Sequence, residues 1–120
     1  MLKRLLKGKN FIEDTYLKNP CIAEIVKECN MTPFNFFREF KLAFGVSPYQ
    51  YIMKKRMEYA QHLVMKDLSF TSVATTCGFP DLFTFSKAFK KSFGASPAKY
   101  KNQLVKNLRR SLFKISGYKE

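Results

Sequence analysis

Phe40-Lys-Leu-Ala-Phe-Gly-Val-Ser-Pro48-Tyr-Gln-Tyr51 returns later in the chain as Phe89-Lys-Lys-Ser-Phe-Gly-Ala-Ser-Pro97-Ala-Lys-Tyr100, an offset of 49 residues. The same offset relates Phe36 to Phe85, Arg38 to Lys87 and Gly45 to Gly94. Upstream it shortens to 48: Ile25-Val26 matches Val73-Ala74, Asn30 matches Gly78, and Met31 matches Phe79. One extra residue therefore enters the second copy around Pro80. Two copies are too few for a solenoid, so the pattern reads as one supersecondary unit duplicated.

Each copy carries its own helix punctuation. Asn19-Pro20 offers an N-cap and a first-turn proline for a short helix through about Cys29. Thr32-Pro33 offers the same pair for a second helix to about Phe44, and the short gap between the two is a helix-turn-helix turn. Gly45 stands where a left-handed C-cap is wanted, and Ser47-Pro48 opens the next helix. In the second copy Ser69 begins a helix through about Cys77, and Gly78-Phe79-Pro80 makes the turn. Asp81 caps a helix to about Phe93, Gly94 ends it, and Ser96-Pro97 starts the last one.

Between the copies, Ile52, Met57, Ala60, Leu63 and Val64 trace one stripe of a linker helix over about 48–65. Eighteen residues at ~1.5 Å each make a rod of roughly 27 Å, against ~34 Å between successive major grooves on one DNA face. At the start, Asn10-x-x-Glu13 has the form of a capping box for a helix through Leu17, with Ile12 and Tyr16 on one face. No stretch alternates with a period of two. The expected fold is all-α: two helix-turn-helix subdomains, about 10–47 and about 66–110, in one domain spanning 1–120.

The chain of 120 residues carries 22 Lys and Arg against 9 Asp and Glu, a net charge of +13. Such a field favours a polyanion, and nucleic acid is the commonest one. The 46% of hydrophobic residues, with 13 phenylalanines and no Trp, suffices for a packed core. Cys21, Cys29 and Cys77 form no C-x-x-C pair and read as buried thiols in a reducing cytoplasm. No apolar run has the length of a signal peptide or a membrane span, so no membrane partner is expected. No metal-ligand cluster, phosphate-binding loop or nucleophile–base pair occurs, and His62 is the lone histidine; no enzyme, cofactor or metal is expected.

If Phe36 and Phe40 point into the core, then Phe34, Arg38 and Lys41 point roughly opposite at about 100° per residue, flanked by Asn35 and Phe37. In the second copy Phe85 and Phe89 take the core role. Phe83, Lys87 and Lys90 face outward, flanked by Thr84 and Ser86, with Leu82 at the helix start. Arg38 is the best base-contact candidate, since a guanidinium can donate two bonds to guanine O6 and N7; the alternative is a solvated arginine. Lys87 has guanine or phosphate open to it, and Asn35 has adenine or a plain helix-start role. Phe34, Phe37, Leu82 and Phe83 face either thymine methyls or a neighbouring helix, and packing is the expectation for Phe37 and Leu82. The lysines and Arg56 are expected to supply phosphate contacts, and the helix N-termini at Thr32 and Asp81 are further phosphate candidates.

Gly78-Phe-Pro-Asp-Leu-Phe-Thr-Phe-Ser-Lys-Ala-Phe-Lys-Lys-Ser-Phe-Gly-Ala-Ser-Pro-Ala-Lys-Tyr100 resembles the second signature of the AraC/XylS family of bacterial regulators. The first unit matches more loosely, through Met31-Thr32-Pro33, Phe36, Arg38, Phe40-Lys41, Gly45 and Ser47-Pro48. The resemblance runs from about Phe11 to Lys101. It implies about seven helices and two recognition helices entering successive major grooves of double-stranded DNA. By position, the groove contacts it implies fall on Pro33, Phe34, Phe37 and Arg38, then Leu82, Phe83, Thr84, Ser86 and Lys87. It also implies a transcription regulator, usually an activator that contacts RNA polymerase and sometimes a repressor. Asn30 replaces a common turn glycine, Glu39 stands where an apolar residue is frequent, and the final Tyr-Arg becomes Tyr100-Lys101.

Most members carry a separate ligand-binding or dimerisation domain, usually N-terminal, for which 120 residues leave no room. The chain is then a stand-alone regulator or a piece of a longer one, and the short Met1–Lys9 leader favours the second. A small-molecule effector is expected only with such a further domain. The competing reading is a basic helical RNA-binding or protein-interaction module, which duplex DNA, RNA and single strands would separate in competition. The outward residues of the two copies differ, so a non-palindromic site is expected.

Overall fold

The computed structural model describes residues 2–116, with side chains through 112. Seven α-helices follow one another, with no strand among the described residues. They are α1 (Leu2–Thr15), α2 (Ile22–Cys29), α3 (Pro33–Phe44), α4 (Pro48–Val64), α5 (Phe70–Thr76), α6 (Leu82–Phe93) and α7 (Pro97–Ser116); a 3-10 turn, Tyr16–Lys18, follows α1. The chain folds as two units, Met1–Tyr59 with Thr76–Gly78, and Ala60–Thr75 with Phe79–Glu120.

The first unit is built on Phe36 and Phe40 of α3, both fully buried with Ile12, Ile25, Cys29, Leu5 and Ile52. Full burial of such side chains is worth ~1.5–3 kcal/mol each, so this cluster drives the folding of the unit. Thr32 caps α3 by accepting from the Asn35 backbone N–H at 3.3 Å, and Pro33 occupies the first turn. At the other end Gly45 (φ 80°) takes the left-handed cap and donates to the Lys41 carbonyl at 2.8 Å. Ser47 and Gln50 then close a reciprocal box at the start of α4: Gln50 N–H donates to Ser47 Oγ, and Ser47 N–H donates to Gln50 Oε1.

The second unit repeats this plan. Phe85 and Phe89 are fully buried, Ala60, Val64, Val73 and Ala74 are buried too, and the Phe79 ring lies 5.5 Å from that of Phe85. Asp81 caps α6 by accepting from Thr84 N–H at 2.7 Å, and Gly94 (φ 78°) closes it. The aromatic ladders agree in detail. Ring centroids lie 5.4 Å apart for Phe36–Phe40 and 5.7 Å for Phe85–Phe89, then 5.7 Å for Phe40–Tyr51 and 5.3 Å for Phe89–Tyr100. Tilted and edge-on pairs of this kind add to simple burial. The turn between α2 and α3 runs through Asn30 in the left-handed region (φ 56°), as that between α5 and α6 does through Gly78 (φ 87°). Met31 N–H reaches the Val26 carbonyl at 3.2 Å, and Phe79 N–H reaches that of Ala74 at 3.0 Å.

Four expectations change. The first helix starts at Leu2, so Asn10 lies inside it and caps nothing. The cause is a buried stripe of Leu5, Gly8 and Ile12, which carries the helix through the leader. Gly8 allows that approach, because a Cβ there would lie 2.5 Å from Phe36 Cε1. Second, the N-cap of α2 is Cys21, while Asn19 adopts a left-handed conformation after the 3-10 turn. Third, Cys21 is exposed, its thiol donating to Glu24 Oε1 at 3.4 Å, whereas Cys29 and Cys77 are buried. Burial raises the Cys77 thiol to about 11, with Arg56 opposing the shift.

The fourth concerns Arg56, which is only 8% exposed and is therefore no phosphate contact. Its Nε donates to the Tyr16 carbonyl at 2.9 Å, and its Nη2 donates to Asn19 Oδ1. The Asn19 amide in turn donates to the Gly78 carbonyl at 3.3 Å. Gly78 sits so close that a Cβ would lie 3.1 Å from the Leu17 carbonyl oxygen and 3.3 Å from Arg56 Cζ. A buried guanidinium needs such partners, since desolvation alone would be costly.

Candidate nucleic-acid interface

With Phe36 and Phe40 fixed inward, α3 turns Pro33, Phe34, Phe37, Arg38 and Lys41 to solvent, and Asn35 is half-buried beside them. The corresponding face of α6 exposes Leu82, Phe83, Thr84, Lys87 and Lys90, with Ser86 half-buried. All twelve sequence candidates thus lie on exposed or half-buried positions of one helix in each unit. Phe37 and Leu82, for which packing was expected, remain 39% and 38% exposed. Phe34 and Phe83 are far more open, at 72% and 71%.

Two cations of this face lie against neighbouring side chains. The Arg38 guanidinium donates to Asn35 Oδ1 at 3.4 Å and to Glu39 Oε1 at 3.2 and 3.3 Å, and its Cζ lies 5.4 Å from the Phe34 ring centroid. Lys87 Nζ lies 5.2 Å from the Phe83 centroid at the matching position. Positions 35 and 39 become Thr84 and Ala88 in the second copy, so the carboxylate has no counterpart there. A surface ion pair such as Arg38–Glu39 contributes little stability; its effect is to hold the guanidinium fork in one orientation. Glu39 therefore lies against the candidate face through Arg38, although the sequence marks it only as a departure. Comparing the copies position by position could have found it.

The two helix N-termini differ in their welcome to anions. At α3 the capping side chain is a neutral hydroxyl, Thr32. At α6 it is Asp81, whose carboxyl is held below its usual range by the Thr84 backbone N–H. A fixed negative charge already occupies that terminus and disfavours phosphate there. Further cations lie on α7, where Gln103, Lys106, Asn107 and Arg110 line a shallow open cleft.

Near the candidate face, two exposed apolar residues do not stand out in the sequence. Leu42 is 74% exposed and Tyr49 is 65% exposed, where the second copy has Lys91 and Ala98. Lys101, the replacement for the usual arginine, donates to the Lys66 carbonyl at 3.1 Å. Among the described residues no group of His, Cys, Asp and Glu could hold a metal ion, and no helix is long and apolar enough to cross a membrane.

A family profile described as a helix-turn-helix domain matches residues 25–103. A probable transcriptional regulator of Photobacterium leiognathi, LumQ, is 33% identical over 92 residues, covering 76% of this chain and 37% of LumQ. The chain thus spans little more than a third of that relative's length. Among solved structures, the DNA-binding domain of the global transcriptional factor AdpA in complex with a target DNA superposes with a TM-score of 0.74. It is 26% identical, with 82% of this chain and 90% of that one covered. A transcriptional regulator of Chromobacterium violaceum with an AraC-type DNA-binding domain gives a TM-score of 0.76 over 85% of this chain and 92% of its own. At 20% identity it bears on the fold alone.

Proposed function

The chain belongs to the AraC/XylS family of helix-turn-helix proteins, and from that premise we propose that it is a bacterial transcription regulator that binds double-stranded DNA sequence-specifically. The recognition helices are α3 and α6, each entering a major groove. The observation that carries this reading is the repeated exposed face, with Phe34, Arg38 and Lys41 on one helix and Phe83, Lys87 and Lys90 on the other. Their outward sequences differ, so the operator has two unlike halves and is not a palindrome.

Arg38 reads a base, because an oriented guanidinium fits the paired acceptors of guanine. Lys41, Lys87 and Lys90 supply contacts that depend less on orientation, and with them much of the salt-sensitive affinity. The protein works in the cytoplasm as an activator, with RNA polymerase as its second macromolecular partner. No cofactor or catalytic step is required.

The test is competition against a labelled random duplex at low salt. Unlabelled duplex DNA should displace it far better than single-stranded DNA or RNA of equal length. Folded protein with no duplex preference would sink this reading in favour of an RNA or protein-interaction module.

A further inference from the structure

The helix-turn-helix profile ends at residue 103, whereas α7 runs on to Ser116. Every residue from Val105 to Leu112 is exposed, so this stretch belongs to no core. A short helix without core burial is marginal in water, and an apolar surface laid against one side would steady it.

The helix is one-sided in both charge and apolarity. Across Pro97–Ser116 the charged residues are Lys99, Lys101, Lys106, Arg109, Arg110 and Lys114, with no Asp or Glu. At about 100° per residue, Leu104, Val105, Leu108 and Leu112 fall within one arc of roughly 100°. Leu104 is half-buried, while Val105, Leu108 and Leu112 are 38%, 55% and 64% exposed. Gln103, Lys106, Asn107 and Arg110, spaced three and four apart, form the opposite face. Arg109 stands at the border between the two.

We propose that this apolar face of α7 docks on the surface of an anionic lipid bilayer, with the helix lying in the plane of the interface. Val105, Leu108 and Leu112 enter the boundary between headgroups and acyl chains. Arg109 lays its stem along the apolar side and carries its guanidinium to a lipid phosphate. The other cations of the helix add attraction to the negative surface. The expectation of no membrane partner followed from the lack of a spanning run, and lying on a surface needs none.

Charge and apolarity together select this occupant. A second copy would set the same cations against these, with no carboxylate on the helix to meet them. Four apolar side chains also fall well short of the ~800 Å² per partner that a stable dimer buries. Duplex DNA meets the charge, but its phosphate backbone offers the leucines no apolar surface. An anionic bilayer meets both.

The experiment mixes the full chain with vesicles of phosphatidylcholine alone, or of phosphatidylcholine with phosphatidylserine, and separates bound protein by flotation. Anionic vesicles should bind at least about tenfold more tightly, since each cation near such a surface is worth roughly fivefold. The net charge of +13 would draw the chain to them by itself, so the deciding variant leaves charge unchanged. Val105→Gln with Leu108→Gln should lose about tenfold in affinity for anionic vesicles. Both positions are exposed, and circular dichroism and thermal melting would verify that the variant folds. Arg109→Gln with Arg110→Gln should lose more than Lys27→Gln with Lys54→Gln, which removes the same charge from exposed positions elsewhere.

Equal affinity of the Val105, Leu108 variant and the parent chain would overturn the inference, because charge alone would then hold the vesicles. So would equal binding to neutral and anionic vesicles, or binding to neither. A dimer in sedimentation that Leu108→Gln dissolves would give the face to a second copy instead. No DNA enters these measurements, so their outcome and that of the DNA-binding reading are separate.

Discussion

Arg56 Nε donates to the Tyr16 carbonyl at 2.9 Å, joining the first part of α4 to the turn that ends α1. The guanidinium is buried, and burial alone lowers its pKa, so these acceptors are what keep a charged group in place. Arg56→Met should cost about 2–4 kcal/mol, because the Tyr16 carbonyl and the Asn19 amide lose their donor. Arg56→Lys should recover part of this at most, since one ammonium does not reproduce the fork. Urea denaturation checks both, and a loss for Arg56→Met below about 0.5 kcal/mol would remove Arg56 from the structural core.

Gly8 is the next test of packing. Alanine normally favours a helix over glycine by ~1 kcal/mol. Here the added Cβ would meet Phe36 Cε1 at 2.5 Å, a contact that the buried ring cannot easily yield. Overpacking of ~1–3 kcal/mol should prevail, so Gly8→Ala should lower the melting temperature. A rise would mean that α1 can shift away from α3 at little cost.

Acid should weaken the first unit through Glu13. Its carboxyl is held below the ordinary 4.5 chiefly by the hydrogen bond from Tyr51, whose phenol is raised by burial and further by the bond to Glu13. A lowered folded pKa means stability that is present above the unfolded value. It is lost as pH falls through the folded value. Tyr51→Phe should therefore reduce stability at pH 7 and flatten its fall below pH 4.5. A parallel pH profile in the variant would show that the bond does not tune Glu13.

For DNA, Arg38→Ala should weaken binding to a selected duplex by ~1–3 kcal/mol and change random duplex binding much less. Glu39→Gln should leave the fold intact, free the guanidinium, and narrow the affinity ratio between selected and random duplexes. Fluorescence anisotropy measures both ratios. An unchanged ratio in Arg38→Ala would take that residue out of base reading.

Affinity should fall steeply with salt, at a log–log slope of about −0.9 per phosphate neutralised. Lys90→Ala, on the outer face of α6, should make that slope shallower by about one without altering the preferred sequence. A salt-independent affinity would contradict phosphate-dominated binding.

The local parts of this fold are legible in the sequence. Thr32, Gly45, Asp81 and Gly94 cap helices through neighbours within four residues, and the repeated phenylalanines declare the inward face. What escapes is long-range. Asn19 has the form of an N-cap, yet its amide serves Arg56 and Gly78, residues 37 and 59 positions away. Arg56 has the form of a solvated cation for the same reason. The early start of α1 was obscured by Gly8, a poor helix former whose use appears only once Phe36 lies against it. At the candidate interface, the exposed positions follow from helical geometry. The restraint of Arg38 by Glu39 depends on side-chain conformations that spacing does not specify.

Thr76–Gly78 fold with Met1–Tyr59, although they are written in the middle of the second copy. The heritable segment and the folded body therefore have different borders. A recombination crossover after α4 would separate the first body from three of its own residues, including buried Cys77. An exchange of single halves at that point would supply these three residues from a different gene. In the core the copies keep residue type, with Ile25 against Val73, and on the surface they diverge further, with Leu42 against Lys91 and Asn35 against Thr84 across the alignment of the copies.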